Sequence, residues 1–236
     1  RVFVVQSNAP PVGDNTQHLL QMIHTLKAYG AAEVTAVLPF AAYARQDRAF
    51  EGRFTSISAD LLPKQLKAAG ADKVVTVTVH SKAAAQFYRA AFGRGFSHVS
   101  TSAVFADHLS NTLGLKAADI VSGAPDGGEK PKDQGIARAR DFDRALRGRF
   151  NSAAMFKISK VHTAESATKI TSFDGKVAGK TAVVIDDMVD GGSTLINAAR
   201  VLRDNGAAQV ICCVTHAILS ERGAPALEKL LVIDEA

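Results

Sequence analysis

Cysteine, tryptophan and long apolar runs are scarce in this sequence. The chain of 236 residues has two cysteines and no tryptophan. Cys212 and Cys213 are adjacent in an apolar, β-rich segment, which excludes the disulfide framework of a small secreted domain and indicates a reducing, cytoplasmic setting. No apolar run approaches the roughly 20 residues that a membrane-spanning helix needs, and nothing resembles a signal peptide. We therefore expect no membrane association.

Aromatic residues are also few, and the positive charge is not concentrated. Aromatic residues make up 6% of the chain, without a series of rings on which bases could stack. The net charge of +5 comes from dispersed basic residues. This distribution does not favour a nucleic-acid-binding surface, and it suits an enzyme whose substrates carry phosphate groups. We expect no nucleic-acid partner.

Three segments share one internal pattern, in which a helix end leads to a glycine and then to a β-rich run. They are Leu26–Phe40, Leu66–His80 and Leu202–His216. In each segment the last residue follows the glycine by ten positions (30 to 40, 70 to 80 and 206 to 216). The glycines are predicted to occupy the C′ position of the helices. Repeated helix-to-strand units of this kind predict parallel sheets, with the three last residues at equivalent strand ends.

The remaining elements follow from hydrophobic periodicity and breakers. Strands are predicted at Val2–Ser7, Asp119–Ser122 and Ala153–Ser159, and helices at Asn15–Tyr29, Ser56–Ala69, Ser102–Leu113 and Ile136–Leu146, with Lys82–Ala91 as a short helical candidate. Val161–Asp174 is polar and poorly patterned, so we expect it to be mobile. The glycine-containing stretch Phe92–Ser100 is the best boundary between two similar α/β halves, residues 1–95 and 96–236.

The segment Thr181–Thr194, with the sequence TAVVIDDMVDGGST, has the strongest functional signal. An apolar run typical of a buried parallel strand leads into Asp186 and Asp187, and a glycine-containing loop then opens a helix. Backbone N–H groups at a helix start attract an anion, and paired carboxylates bind sugar hydroxyls or a hydrated cation. The combination indicates a phosphorylated sugar. The alternative is a strand with a polar turn and ordinary helix capping.

This segment resembles the phosphoribosyl diphosphate motif of type I phosphoribosyltransferase-like folds. A second stretch, PFAAYARQDR at residues 39–48, resembles the ATP-binding segment of ribose-phosphate diphosphokinases. His80 in VTVTVHS, Asp126 in SGAPDGG and the CCVTHAILS stretch occur in the order found in that family. The resemblance covers essentially the whole chain. It implies an α/β protein with two similar phosphoribosyltransferase-like domains, each a largely parallel sheet flanked by helices.

The resemblance also implies a reaction. The diphosphoryl group of ATP moves to the C1 hydroxyl of ribose 5-phosphate, giving 5-phosphoribosyl 1-diphosphate and AMP, with Mg²⁺ as cofactor. Two other functions stay open. The protein could be a type I phosphoribosyltransferase, or it could be a non-catalytic regulatory member of the same family. The ARQDR segment, His80 and the paired N-terminal half favour the diphosphokinase over a phosphoribosyltransferase.

Residue roles are carried over position by position. The resemblance implies ATP binding by Arg45, Gln46, Asp47 and Arg53; ribose 5-phosphate binding by Asp186, Asp187, Asp190, Gly191, Gly192, Ser193 and Thr194; metal binding by His80 and Asp126; and catalysis by Lys160 and His162. Asp187 could instead orient its neighbour, because adjacent strand residues point to opposite faces.

Two positions depart from the family pattern. Many members have an arginine where this chain has His162, so the second catalytic cation is His162 itself, Lys157 or Lys169. The charged loop that follows Asp126 is longer than the family pattern implies. Family members also have a segment before the first strand found here and assemble into dimers and hexamers. We therefore expect further family segments beyond both ends of this sequence, and a homo-oligomer.

Overall fold

The computed structural model divides the chain into two compact units, Arg1–Ser100 and Thr101–Ala236. It describes residues 1–49, 54–126, 134–148, 151, 154–162, 168–219, 225 and 228, with the side chains of 160–162 and 168–171 left out of the description. Within the described residues, no helix combines the length and apolarity needed to cross a bilayer.

The first unit is a parallel sheet in the sequential order β1-β2-β3-β4. Its elements are β1 (Val2–Val5), α1 (Val12–Ala28), β2 (Val34–Leu38), α2 (Ser58–Ala68), β3 (Lys73–Val77), α3 (Lys82–Phe92) and β4 (Phe96–Val99). Sequential order with crossovers of one hand puts all three helices on the same face of the sheet. Leu19 of α1, Leu66 of α2 and Phe92 of α3 accordingly pack in one cluster with Val74 of β3.

The predicted glycine signals are confirmed. α1 ends at Ala28, α2 at Ala68 and a helix of the second unit, α6 (Ser193–Asp204), at Asp204, each two residues before its glycine. Gly30, Gly70 and Gly206 have φ values of +85°, +105° and +84°, the left-handed region that glycine tolerates at a helix C′ position. The strands β2, β3 and β9 (Gln209–Ala217) follow these three helices, as the repeat predicted.

The second unit is a mixed sheet in the order β7-β6-β5-β8-β9. Its elements are α4 (Ser102–Asp107), β5 (Ile120–Ala124), α5 (Gln134–Arg147), β6 (Met155–His162), β7 (Thr168–Asp174), β8 (Thr181–Val189), α6 (Ser193–Asp204) and β9 (Gln209–Ala217), with a π-helical turn (His108–Thr112) extending α4. α4 and α5 cover one face, where Leu109 and Phe142 are buried. α6 covers the other face through Leu195 and Leu202.

Two features of the local structure differ from the sequence pattern. Val161–Asp174 is poorly patterned and was expected to be mobile, but β6 continues to His162, and Thr168–Asp174 forms β7, which pairs antiparallel with β6. Its mobility stays a prediction, and residues 163–167 lie outside the described part of the chain. The structure also divides five residues later than the predicted boundary after residue 95. Phe96–Val99 forms β4 and completes the first sheet by pairing with β3.

The position of the strand ends also differs from the sequence prediction. β8 continues through Asp186 and Asp187 to Val189, because its pairing with β9 extends to residue 217. His216 therefore lies within β9, opposite Met188, whereas His80 lies three residues beyond the end of β3. The three repeat-related residues do not occupy equivalent strand ends.

Phe156 of β6 is enclosed by two glycines. A Cβ atom on Gly123 of β5 would lie 2.5 Å from the Phe156 ring, and one on Gly175 would lie 2.6 Å from Phe156 Cβ. Phe156 is 3% exposed and belongs to the core beneath α6. The two glycines therefore give this ring its place between β5 and the end of β7.

A buried ion pair fastens α5 to the beginning of β5. Asp143 is fully buried and accepts hydrogen bonds from Arg147 Nε (2.6 Å) and from the backbone N–H of Asn151 (2.6 Å). Arg147 also donates through Nη2 to the carbonyl oxygen of Ile120 (2.5 Å) and through Nη1 to that of Ala117. One guanidinium thus satisfies groups on three segments.

Asp143→Ala is expected to lower the free energy of unfolding by about 3–5 kcal/mol, because it leaves the buried guanidinium of Arg147 without its counter-charge. Asp141→Ala is the matched control. Asp141 pairs with Arg144 on the same helix at 2.9 Å, with both side chains 57% exposed, so its loss should cost below about 1 kcal/mol. Urea denaturation followed by circular dichroism measures both values, and equal effects would contradict the role given to Asp143.

Candidate functional site

Asp186 and Asp187 approach one cation from opposite faces of β8. Asp187 is in phase with Ile185, which packs beneath α5, and Asp186 is in phase with Val184, which packs beneath α6. Both carboxylates nevertheless contact Arg138 of α5. Its Nη2 atom lies 2.7 Å from Asp187 Oδ1 and 3.2 Å from Asp186 Oδ1. The guanidinium therefore joins the two faces at this point of the strand.

The environment of Asp186 opposes its negative charge. Burial, and then the neighbouring charge of Asp187, raise the pKa of Asp186 to about 6, while Arg138 acts in the opposite direction. The carboxylate also accepts a hydrogen bond at Oδ1 from the backbone N–H of Asp187 (2.9 Å). Asp186 is therefore a carboxyl group that changes its charge near neutral pH.

The loop between β8 and α6 leaves the start of the helix open. Gly192 precedes α6 with φ +73°, a left-handed conformation, and no side chain among the described residues caps the helix. A Cβ atom on Gly191 would meet no described atom within 4 Å. Ser193, which is exposed, and Thr194, which is half-buried, are the first two residues of the helix. This arrangement of open space, backbone donors and helix dipole attracts an anion.

The neighbouring strand brings Asp126 to the same edge. β5 pairs in parallel with β8, with Gly123 opposite Val184. Asp126 follows the last residue of β5 by two positions and is half-buried. The predicted acidic residues therefore belong to two neighbouring strands of the second sheet, Asp186 and Asp187 within β8 and Asp126 just after β5.

The predicted catalytic residues lie one strand further along. The backbones of Lys160 and His162 belong to β6 and pair with Ile170 and Thr168 of β7. Their side chains lie outside the described part of the chain. The backbone is therefore a strand as far as residue 162, and residues 163–167 lie outside the described part of the chain.

In the first unit, Asp47 connects the loops that follow β2 and β3. Its Oδ2 atom accepts a hydrogen bond from the Ser81 hydroxyl (2.5 Å), and the Ser81 oxygen caps α3 by accepting from Ala84 N–H (3.0 Å). His80 directly precedes this cap. Asp47 is thus held by protein, whereas the side chains of Arg45 and Gln46 on the same loop are exposed.

A histidine of β4 supports the same region. His98 Nε2 accepts a hydrogen bond from the backbone N–H of Val79 (3.0 Å), so this nitrogen is unprotonated. The contact fixes the backbone next to His80. Arg53, the remaining predicted ATP contact, lies outside the described residues.

The sequence predictions missed two residues of these sites. Ser81 had a readable signal, since a serine directly before a helical segment is a typical N-cap. Arg138 had a weaker one: it lies one turn before Phe142 on the buried side of an arginine-rich helix. The two predicted metal ligands, His80 and Asp126, belong to different units.

The comparisons with known proteins identify the family of the chain. Residues 1–70 match the model of the N-terminal domain of ribose phosphate pyrophosphokinase, and residues 122–236 match that of the phosphoribosyl synthetase-associated domain. A ribose-phosphate pyrophosphokinase of Nostoc sp. is 38% identical over 97% of this chain and 63% of its own length. One of Hyphomonas neptunium is 36% identical over 99% of this chain and 69% of its own length.

A solved structure of known family shows the same fold as this chain. The phosphoribosylpyrophosphate synthetase of Mycobacterium smegmatis is 33% identical, with a TM-score of 0.77 over 97% of this chain and 67% of that one. The chain spans 63% of the length of its Nostoc relative. The predicted α/β architecture of two phosphoribosyltransferase-like domains is confirmed. The resemblance seen in the motifs holds along the sequence, and the chain belongs to the ribose-phosphate pyrophosphokinase family.

Proposed function

We propose that this protein transfers the diphosphoryl group of ATP to the C1 hydroxyl of ribose 5-phosphate, giving 5-phosphoribosyl 1-diphosphate and AMP. The observation that carries the proposal is the carboxylate of Asp186 beside an open glycine loop at an uncapped helix start. The carboxylate can accept hydrogen bonds from sugar hydroxyls, and the loop at the helix start can bind an anion such as a phosphate group. Membership of the family supports the same reaction.

The sugar phosphate would occupy the second unit. In this proposal the backbone of Asp190–Gly192 and the hydroxyls of Ser193 and Thr194 hold the 5-phosphate, and Asp186 accepts hydrogen bonds from ribose hydroxyls. The support comes from the described part of the chain, where Gly191 faces open space and no side chain caps α6. Asp187 would serve mainly to hold its neighbour in place, since its carboxylate is 3% exposed.

The nucleotide would occupy the first unit. Arg45 and Gln46 are exposed on the loop after β2, where a guanidinium can contact polyphosphate oxygens and an amide can pair with an adenine edge. We include Arg53 on the strength of the family motif. Asp47 would act through Ser81, by fixing the loop that presents its neighbours to ATP.

The donor set fits Mg²⁺ that arrives with phosphate. Among the described residues, no group of three or more His, Cys, Asp or Glu side chains is placed to hold a metal ion. Mg²⁺ typically takes one or two carboxylates and completes its shell with phosphate oxygens and water. We propose Asp126 and His80 as protein contacts for metal-bound phosphates. The ion would neutralise negative charge on the phosphate groups.

Catalysis would depend on positioning and charge. We propose that Lys160 and His162 approach the transferred group from β6 and stabilise negative charge in the transition state.

We also propose that the protein forms a homo-oligomer, either a dimer or a hexamer. Light scattering tests this, and a fully active monomer would contradict it. We also propose a cytoplasmic setting, because the two cysteines of the sequence, Cys212 and Cys213, are adjacent in β9 and provide no disulfide framework.

The reaction itself is tested with ATP, ribose 5-phosphate and Mg²⁺, by measuring AMP formation that depends on the sugar. A phosphoribosyltransferase would instead consume 5-phosphoribosyl 1-diphosphate with a nucleobase, and a non-catalytic member would form no AMP. Either result would overturn the proposed reaction.

Lys160→Ala is expected to lower kcat for AMP formation by about a hundredfold, with little change in the KM for ATP, because the charge acts mainly in the transition state. Lys180→Ala is the control. Lys180 is a partly exposed lysine of the same unit that contacts Asp119 at 3.2 Å. Turnover in the Lys160 variant equal to that of the control would remove Lys160 from the catalytic group.

Asp186→Asn is expected to weaken ribose 5-phosphate binding and yet stabilise the fold. Folding raises the pKa of Asp186 from 3.8 to about 6, so the stability contributed by the protonated carboxyl is lost as the pH rises through 6. A neutral amide avoids this loss. The variant should therefore gain about 3 kcal/mol of unfolding free energy at pH 8, and nothing below about pH 4.

Urea denaturation at several pH values and calorimetric titration with ribose 5-phosphate measure the two effects of Asp186→Asn. Asp204→Asn, at the exposed end of α6, is the control and should change neither. A stability gain that does not grow with pH would contradict the charge argument. Unchanged sugar-phosphate affinity would contradict the role of Asp186 in binding.

A further inference from the structure

Arg138 is placed by its helix to reach the carboxyl edge of the sheet. It lies in the second turn of α5, next to buried Ala139 and one turn before buried Phe142. Side chains on a helix lean toward its N-terminus. Because α5 returns antiparallel to the strands, that direction leads back to the ends of β5 and β8. The Arg138 side chain is 19% exposed.

The contacts of Arg138 divide the two acids into different roles. Asp187 is 3% exposed and makes the shorter contact, 2.7 Å from Nη2. Asp186 is 17% exposed, and the hydrogen bonds that it accepts from described residues both end on Oδ1, one from Arg138 and one from Asp187 N–H. The second oxygen, Oδ2, accepts no hydrogen bond from the described residues.

We propose that Arg138 is a positioning residue for the sugar-phosphate site. By holding Oδ1 of both acids on one nitrogen, it fixes the rotation of the Asp186 carboxylate and presents Oδ2 to the ribose hydroxyls. The role rests on the proposed function, since it concerns the same site. It assigns to α5 a part in recognition that no motif of the chain indicated.

The physical basis is preorganisation. Without the guanidinium, two adjacent buried carboxylates repel one another, and each gains rotamers that point away from the ligand. Ligand binding must then restore the lost geometry, which weakens affinity. A purely structural ion pair predicts something else: loss of stability without a selective loss of sugar-phosphate binding.

The test uses the full chain and two substitutions of Arg138. Arg138→Met keeps the length of the side chain but removes its charge, and Arg138→Lys keeps the charge but loses the planar fork. Calorimetric titration with ribose 5-phosphate in the presence of Mg²⁺ should show affinity about tenfold weaker for Met and an intermediate loss for Lys. The affinity for ATP should stay within about twofold of the unmodified protein.

Arg144→Met is the matched control. It removes an arginine of the same helix whose side chain is 57% exposed and pairs with Asp141. This variant should bind ribose 5-phosphate like the unmodified chain. An equal loss in the Arg138 and Arg144 variants would indicate a general effect of α5 and overturn the positioning role.

The double variant Arg138→Met/Asp187→Asn separates positioning from stability. It removes the uncompensated carboxylate, so the melting temperature should recover toward that of the unmodified chain while the sugar-phosphate affinity stays low. Recovery of both would show that Arg138 acts only through stability and would overturn the inference.

The proposed function fails separately. If the unmodified chain does not bind ribose 5-phosphate, both the function and the inference fall. If it binds, and Arg138→Met binds equally well, only the positioning role is overturned.

Discussion

The parallel register between β5 and β8 is the constraint on which the second unit depends. It places β5, which Asp126 follows by two residues, beside β8, which carries Asp186 and Asp187. It also brings α5, which connects β5 to β6, over the same edge. A parallel sheet collects its strand ends on one side, where loops and helix starts supply polar groups. The positions of the acidic residues, of Arg138 and of the open start of α6 all depend on this one pairing.

The fold could be predicted where the sequence signal is local. The helix ends at Gly30, Gly70 and Gly206 could be predicted because each glycine follows a helical pattern and precedes a β-rich run. Glycine is the usual residue at the helix C′ position between two such elements. β7 was missed because its pairing with β6 is irregular. The register shifts between Ser159 and Lys160, whose partners Ser172 and Ile170 are two residues apart. Such a bulge interrupts the alternation by which a strand is recognised.

The site could be predicted only in part, for a different reason. The paired acids and the glycine loop are contiguous in sequence, so their chemistry shows in one segment. Arg138 is 48 residues away from Asp186, and its partnership exists only once α5 packs on the sheet. Asp47 shows the same limit, since its partner Ser81 comes from the next loop of the first sheet. Contacts between elements depend on packing, which composition and spacing do not encode.

Phe156 and its two glycines limit how this family member can change over time. A methyl group on Gly123 would meet the ring at 2.5 Å, and one on Gly175 would meet its Cβ at 2.6 Å. A ring this deep in a packed core cannot move aside. An alanine at either position would be tolerated only after a smaller residue has replaced Phe156, and that replacement alone would leave a cavity. Substitutions at these three positions should therefore be inherited in a fixed order or as a set.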